Sequence, residues 1–187
     1  MQTASYGPFA YVPINRRKPW KWPNGARLAL WVIPNLEFFH PGTPLAGHPW
    51  EKASEHKAPT VRAWGQRDYG NRVGVFRIME VLSKYGIRAT ATTNAEICDF
   101  HPQIIEDAVK LGWEFMGHNK TNSTRLSALD PEEERSLIRY CLDKLEQATG
   151  KRPVGWLGSG LAETWHTLDY LSAEGCLYVS DWVNDDQ

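Results

Sequence analysis

The sequence carries no excess of charge of either sign. Lysine and arginine together number 21, aspartate and glutamate number 22, and the formal net charge is −1. Because neither sign forms a long run, we expect no nucleic-acid partner and no charged tail. No apolar run approaches the ~20 residues that a membrane span needs, so we expect no membrane partner either.

Cysteine is scarce, and the N-terminus has no recognisable targeting signal. Residues 1–8 contain no basic segment followed by an apolar one, so the sequence predicts no secretory signal. The three cysteines, Cys98, Cys141 and Cys176, are odd in number and widely spaced. That pattern is typical of free thiols in a reducing compartment, and we expect a cytoplasmic protein.

Local patterns divide the chain into an arm and one domain. Prolines at positions 8, 13, 19 and 23 leave residues 1–26 irregular, and we interpret them as an N-terminal arm. Residues 27–187 form the predicted domain. Apolar or alternating runs predict five strands, at 27–33 (ended by Pro34), 87–93, 113–117, 154–157 and 177–181. Amphipathic patterns predict helices at 73–85, 102–111, 131–149 and 164–174.

Helices in the strand connections indicate a parallel α/β architecture with right-handed crossovers. Two arrangements fit: part of a (β/α) barrel that is incomplete at the C-terminus, or an open doubly wound sheet. A strand order of 2-1-3-4-5 would identify the second. Exposed parallel edges predict a homo-oligomer. Residues 35–70 show no clear period and are predicted to form a long loop.

The most informative stretch follows the predicted strand at 113–117. His118 comes directly after Gly117, and Thr121, Asn122 and Ser123 follow within a few residues. Polar side chains at the carboxyl end of a parallel strand are typical of binding and catalytic sites. His118 is therefore a candidate catalytic residue; the alternative is a buried histidine that bonds a neighbouring loop.

Several motifs resemble the polysaccharide deacetylase superfamily, and most closely its branch of cofactor-independent allantoinases. They cover roughly residues 24–187 and include Asp68–Gly74, Lys84–Thr90, Gly112–Glu114 before Gly117-His118, Thr149–Pro153, and Asp181. The resemblance implies a distorted (β/α) barrel that hydrolyses amide-type C–N bonds in a small-molecule substrate. It also implies longer relatives, because their later strands have no counterpart in this sequence.

The sequence departs from the family where a metal ion is usually bound. Asn35-Leu36-Glu37-Phe38 stands in place of Thr-Phe-Asp-Asp, so Glu37 takes the position of the base and Phe38 that of a ligand. Asn122 replaces the second histidine of the motif, and Leu157 replaces an arginine. Only His118 remains of the three typical ligands, and we expect no metal cofactor. The alternative is a zinc ion held by His118, Glu37 and Asn122.

The resemblance assigns roles to the remaining candidates. We expect Glu37 to be the general base, with burial raising its pKa, and His118 to be the acid or electrophile. The alternative for Glu37 is an ion pair with Arg67 or Arg72. Predicted substrate-binding residues are Asn35, Asn122, Trp156, Asp181 and Asp185, and Asp181 is also a candidate to orient His118. The expected substrate is a cyclic amide or ureide such as allantoin.

Two other functions fit the same sequence. One is a metal-dependent deacetylase of N-acetylated sugars with an altered ligand set. The other is a binding protein without catalytic activity on a decayed deacetylase scaffold.

Overall fold

The computed structural model describes residue 7 and residues 10–41 and 61–183. Residues 10–31, with Gly7, belong to one compact unit, and residues 32–183 form another. The first unit contains two short 3₁₀ turns, Ile14–Arg16 and Pro23–Gly25, and an edge-to-face contact between Trp20 and Trp22. The larger unit begins at Val32, five residues after residue 27, where the predicted domain starts. The division of the chain into an arm and a domain stays a prediction.

Five parallel strands form the sheet of the larger unit. They are β1 (Asn35–Leu36), β2 (Thr90–Thr93), β3 (Glu114–Gly117), β4 (Gly155–Trp156) and β5 (Tyr178–Val179). The strand order is β1-β2-β3-β4-β5, all neighbours are parallel, and the sheet is not closed within the described residues. Sequential neighbours are the order of a (β/α) barrel, so the doubly wound alternative is wrong.

The first strand lies later in the chain than its pattern predicted. Leu28 and Leu30 are 81% and 73% exposed, so the predicted strand at 27–33 was wrong. Pairing with β2 instead starts at Val32, whose carbonyl accepts from Thr90 N at 3.1 Å, and continues through the carbonyl of Pro34. Because proline lacks an N–H, Pro34 contributes only its carbonyl to this pairing.

Helices connect the strands, and two of them, at 61–69 and 97–100, were not predicted. They are α1 (Val61–Tyr69), a π-helical turn (Gly70–Gly74), α2 (Val75–Lys84), α3 (Ile97–Phe100), α4 (Pro102–Lys110), α5 (Pro131–Thr149) and α6 (Thr167–Ala173). Helix α1 lies inside the segment predicted to be a loop. It has no regularly spaced apolar face that a sequence pattern could detect. None of the helices described has the length and apolarity of a membrane span.

The helices bury apolar residues against the sheet in two clusters. One contains Leu36, Met79, Ile97, Ile104 and Phe115, and the other contains Ile138, Cys141, Leu142, Trp156 and Leu171. The apolar spacing of the predicted helices at 73–85 and 102–111 places Phe76 and Val109 on their inward faces, but these residues are 37% and 40% exposed. The sequence Asp130-Pro131-Glu132-Glu133 predicts a capping box at the start of α5. The structure confirms it, because Asp130 accepts from the backbone of Glu133 while Glu133 accepts from Asp130 N.

Space at Gly117 is limited by the packing of α5 and β4. A Cβ at this position would lie 2.4 Å from the ring of Trp156 and 3.3 Å from Leu142. We expect Gly117→Ala to lower the free energy of unfolding by about 1–3 kcal/mol, because the buried indole cannot move without disturbing the core. Urea denaturation measures this change.

Gly74→Ala is the matched control, because the nearest atom to its Cβ would be 3.9 Å away. A helical glycine with space beside it should tolerate alanine or gain about 0.5–1 kcal/mol. Equal stability of Gly117→Ala and wild type would contradict the packing described here.

Candidate active site

Polar side chains follow the carboxyl ends of all five strands. Glu37 comes after β1, Asn94 after β2, His118 after β3, Ser159 after β4 and Asp181 after β5. Because the strands are parallel, these positions lie together at the carboxyl-terminal end of the sheet. This end of the sheet is the candidate active site.

Asn94 is the hydrogen-bonding centre of this end of the sheet and is fully buried. Its Oδ1 accepts from Phe38 N at 2.7 Å. Its Nδ2 faces the His118 carbonyl, Asn122 Oδ1 at 3.1 Å and Ser159 Oγ at 3.4 Å. The amide thus joins the loops that follow β1, β3 and β4. Neither Asn94 nor Ser159 was predicted as a site residue, although the position of Asn94 directly after an alternating strand was an available signal.

His118 is fixed in one orientation and is 2% exposed. Its Nδ1 is hydrogen-bonded to the carbonyl oxygen of Leu157. A carbonyl only accepts, so Nδ1 carries the proton, and in the neutral ring the lone pair lies on Nε2. Nε2 lies 3.5 Å from Glu37 Oε1. The structure therefore brings together the two residues predicted to be catalytic, and leaves only Nε2 able to exchange a proton.

The pKa of Glu37 differs from its prediction. Burial is the largest influence and raises the pKa, but hydrogen bonds from His118, Asn35 and Asn122, with the charge of His118, lower it below its ordinary value of 4.5. The expectation of a raised pKa was wrong because it considered burial without these partners. Glu37 is a carboxylate at neutral pH.

Polar neighbours hold Glu37 on both sides. Asn35 Nδ2 donates to Glu37 Oε1 at 3.3 Å, and Asn71 Nδ2 donates to the Glu37 carbonyl at 2.8 Å. Asn35, predicted to bind substrate, thus contacts the base. The two arginines considered as alternative partners have other contacts: Arg72 pairs with Asp68, and Arg67 lies 4.8 Å from the ring centre of Phe39.

A pocket opens beside Glu37. Its other lining residues come from the segment after β1, from α1 and the turn that follows it, and from the start of α4; they include Phe39, Trp64, Arg67, Asn71 and His101. Trp64 Nε1 donates to the carbonyl of Phe39 at 3.0 Å, which holds these two lining residues together. Its free volume is about 10 Å³, which is room for roughly one water molecule beside the carboxylate.

The other predicted substrate contacts have mixed outcomes. The backbone N–H of Asn122 donates to the Phe38 carbonyl at 3.0 Å, and its Oδ1 accepts from Ser159 at 2.6 Å. Trp156 is fully buried with Leu142 and Leu171, so the structure places it in the core under the helices and not in a cleft. The indole packs against Gly117, where a Cβ would lie 2.4 Å from its ring. Asp185 lies outside the described residues.

Asp181 contacts the loop after β4. Its Oδ1 accepts from Gly158 N at 2.7 Å. Burial, followed by a hydrogen bond with Glu163 and that residue's charge, raises the pKa of Asp181 from 3.8 to about 7, and only the Gly158 N–H opposes this shift. Glu163 Oε2 in turn accepts from Trp182 Nε1 at 2.9 Å. Asp181 and Glu163 therefore form a carboxyl pair that loses a proton as the pH rises through about 7.

Comparison with known proteins identifies the family. A polysaccharide deacetylase family model matches residues 67–178, which is more than half of the chain. This chain belongs to the polysaccharide deacetylase family, as its motifs predicted.

Three relatives illustrate the match. The peptidoglycan deacetylase-like protein FGM2 of Gibberella zeae is 25% identical over 131 residues, which cover 69% of this chain and 38% of that protein. A probable polysaccharide deacetylase from Pseudomonas aeruginosa PAO1 has a TM-score of 0.75 at 24% identity, covering 92% of this chain and 61% of the other. Puue allantoinase has a TM-score of 0.73 at 24% identity, covering 92% and 60%.

These matches confirm the polysaccharide deacetylase type of (β/α) barrel. At such identities the solved structures establish the fold alone. The chain spans less than two thirds of the length of each of these relatives.

The donors at the site do not fit the divalent metal that the family implies. A catalytic zinc site usually takes three ligands from histidine, cysteine and carboxylates. Here His118 Nε2 and Glu37 Oε1 are two such donors, but Asn122 Oδ1 already accepts hydrogen bonds from Asn94 and Ser159. Within residues 10–41 and 61–183, no three such side chains lie close enough to hold an ion.

The raised pKa of Asp181 predicts a pH effect on stability. Between its ordinary value of 3.8 and about 7, the folded chain binds more protons at Asp181 than the unfolded chain does. The contribution of Asp181 is therefore fully present below pH 3.8 and is lost as the pH rises through about 7. Asp181→Asn should become progressively more stable relative to wild type across this window, as measured by urea denaturation.

Asp169→Asn, at an exposed position on α6, is the control for the loss of one carboxylate. A stability difference between Asp181→Asn and wild type that does not change with pH would contradict the raised pKa.

Proposed function

We propose that this chain hydrolyses an amide-type C–N bond by acid–base catalysis without a bound metal. The observation that carries the proposal is the pair of Glu37 and His118, with Glu37 Oε1 and Nε2 of the buried ring 3.5 Å apart. The pair lies at the carboxyl end of the sheet beside a pocket. Membership in a family named for deacetylation supports the class of reaction.

The two side chains divide the proton transfers. Glu37, as a carboxylate, accepts a proton from water as the water oxygen bonds to the amide carbon. His118, as an imidazolium, donates its Nε2 proton to the leaving nitrogen as the C–N bond breaks and the nitrogen takes the bonding electron pair. A final proton transfer from the protonated Glu37 to His118 Nε2 restores the starting state. The fixed Nδ1–H bond keeps Nε2 directed at the reacting atoms.

The proposed substrate is a small cyclic amide or ureide such as allantoin. Two observations support it: the departure from the usual metal ligands, and the similarity in fold to Puue allantoinase. The second candidate is an N-acetylated sugar, which is favoured by the relative described as peptidoglycan deacetylase-like. A binding protein without turnover is the third. A cytoplasmic location and self-association remain part of the proposal.

Removal of the base tests the mechanism. We expect Glu37→Gln to lower kcat for amide hydrolysis by about 10²–10⁴-fold with little change in KM, because the amide keeps the shape but accepts no proton. Allantoin and an N-acetylglucosamine oligomer should be assayed in parallel, with release of ureide cleavage product or acetate as the signal.

Glu106→Gln is the matched control, because this glutamate is exposed on α4. It should retain wild-type kcat on the same substrate. Undiminished hydrolysis by Glu37→Gln would refute Glu37 as the base, and binding of either compound without turnover by the wild-type chain would favour the binding protein.

A further inference from the structure

The side-chain amide of Asn94 can take only one orientation. Phe38 N donates to its Oδ1 at 2.7 Å, and the His118 carbonyl accepts from its Nδ2. A backbone N–H only donates and a carbonyl only accepts, so these two partners distinguish the oxygen of the amide from the nitrogen. The second hydrogen of Nδ2 is directed at Asn122, whose facing side-chain atom lies 3.1 Å away.

The orientation of Asn94 determines that of Asn122. The atom of Asn122 that faces Asn94 Nδ2 is the oxygen, because the reverse orientation would place two donor groups 3.1 Å apart. Ser159 Oγ donates to the same oxygen at 2.6 Å, so Oδ1 has a partner for each of its lone pairs. The Nδ2 group therefore points away from this buried network, and the carboxylate of Glu37 receives a hydrogen bond from it.

We propose that Asn122 Nδ2 is the hydrogen-bond donor to the oxyanion that forms on the substrate carbonyl, and that Asn94 and Ser159 are positioning residues that hold this donor in place. The inference deepens the proposed function and rests on it. The family motif carries a histidine at the position of Asn122. An N–H group in its place attracts the carbonyl oxygen of a neutral amide and repels a cation.

The burial of these residues fits their roles. Asn94 and Ser159 are buried, whereas Asn122 and Glu37 are partly exposed, so the donor and the base are accessible to a ligand and the positioning residues lie beneath them. Nε2 of His118 is buried and has no hydrogen-bond partner within the part of the chain that the structure describes. The base, the acid and the donor thus meet at one place.

The donor acts while the tetrahedral intermediate exists. As the water oxygen bonds to the amide carbon, Glu37 takes the water proton and the π electron pair of the carbonyl moves to its oxygen. That oxygen accepts a hydrogen bond from Asn122 Nδ2, and no proton is transferred. When the C–N bond breaks, the electron pair returns to form the carbonyl, and the nitrogen keeps the C–N pair and gains the proton from His118 Nε2.

Two variants of Asn122 test the role of the donor. Asn122→Asp keeps an oxygen for Asn94 and Ser159 but replaces the N–H group by an acceptor, and Asn122→Ala removes the side chain without adding charge. Each should lower kcat for allantoin by about 10²–10³-fold with a smaller change in KM, because the bond strengthens in the transition state. Circular dichroism checks that both variants are folded. Undiminished kcat in folded Asn122→Ala would overturn the inference.

Neutron diffraction of the deuterated wild-type chain tests the orientation without turnover. We expect two deuterium atoms on the side-chain atom of Asn122 that is remote from Asn94, and the reverse assignment would overturn the inference. Ser159→Ala should keep this orientation, because Asn94 Nδ2 still faces Oδ1. Absence of hydrolysis by the wild-type chain would refute the proposed function and the oxyanion role together, and the neutron map would still decide whether Asn122 presents a donor.

Discussion

The buried amide of Asn94 is the interaction on which the geometry of the site depends. It accepts from the backbone of Phe38, beside Glu37, and faces the carbonyl of His118 with its other end. A buried amide left without partners costs about 1–3 kcal/mol per unsatisfied group, so the loops after β1 and β3 are held where they satisfy it. The separation of Glu37 and His118 follows from this constraint.

The chemistry of the site depends on the orientation of the His118 ring as much as on the types of residue present. A carbonyl, an acceptor only, faces Nδ1 of His118, and a carboxylate faces Nε2. The first fixes the tautomer, and the second lies 3.5 Å from the nitrogen that can exchange a proton. Three polar partners keep Glu37 ionised in spite of its burial. The result is a carboxylate and an imidazole prepared for opposite proton transfers, which is the arrangement that hydrolysis of an amide requires.

The sequence was sufficient to select Glu37 and His118 as catalytic candidates, because each follows an apolar strand and the family motifs align there, but their contact is seen only in the structure. It also predicted α5, where Asp130, Pro131 and Gly150 mark both ends. It was insufficient for α1, whose helix has no periodic apolar face. The position of Asn94 after a strand was a usable signal, but the contacts of Asn94 and Gly158 could not be predicted because they join residues 23 to 65 positions apart in the chain.

The lowered pKa of Glu37 also could not be predicted from the sequence. Burial can be expected from the apolar neighbours of Glu37, but the side chains that bond its carboxylate come from other loops. Trp156 is a further case, since the same glycine-rich context fits a cleft or a tightly packed core. Only the packing of α5 and α6 over β4 distinguishes the two.

The central claim is that Glu37 and His118 act without a bound metal, and activity after metal removal tests it most directly. The full chain should be treated with a strong chelator, its metal content determined by mass spectrometry, and its hydrolysis of allantoin and of an N-acetylglucosamine oligomer measured. The account predicts turnover that is unchanged by the treatment and by added zinc. Loss of activity on chelation, with recovery at about one zinc per chain, would contradict it and make His118 a ligand.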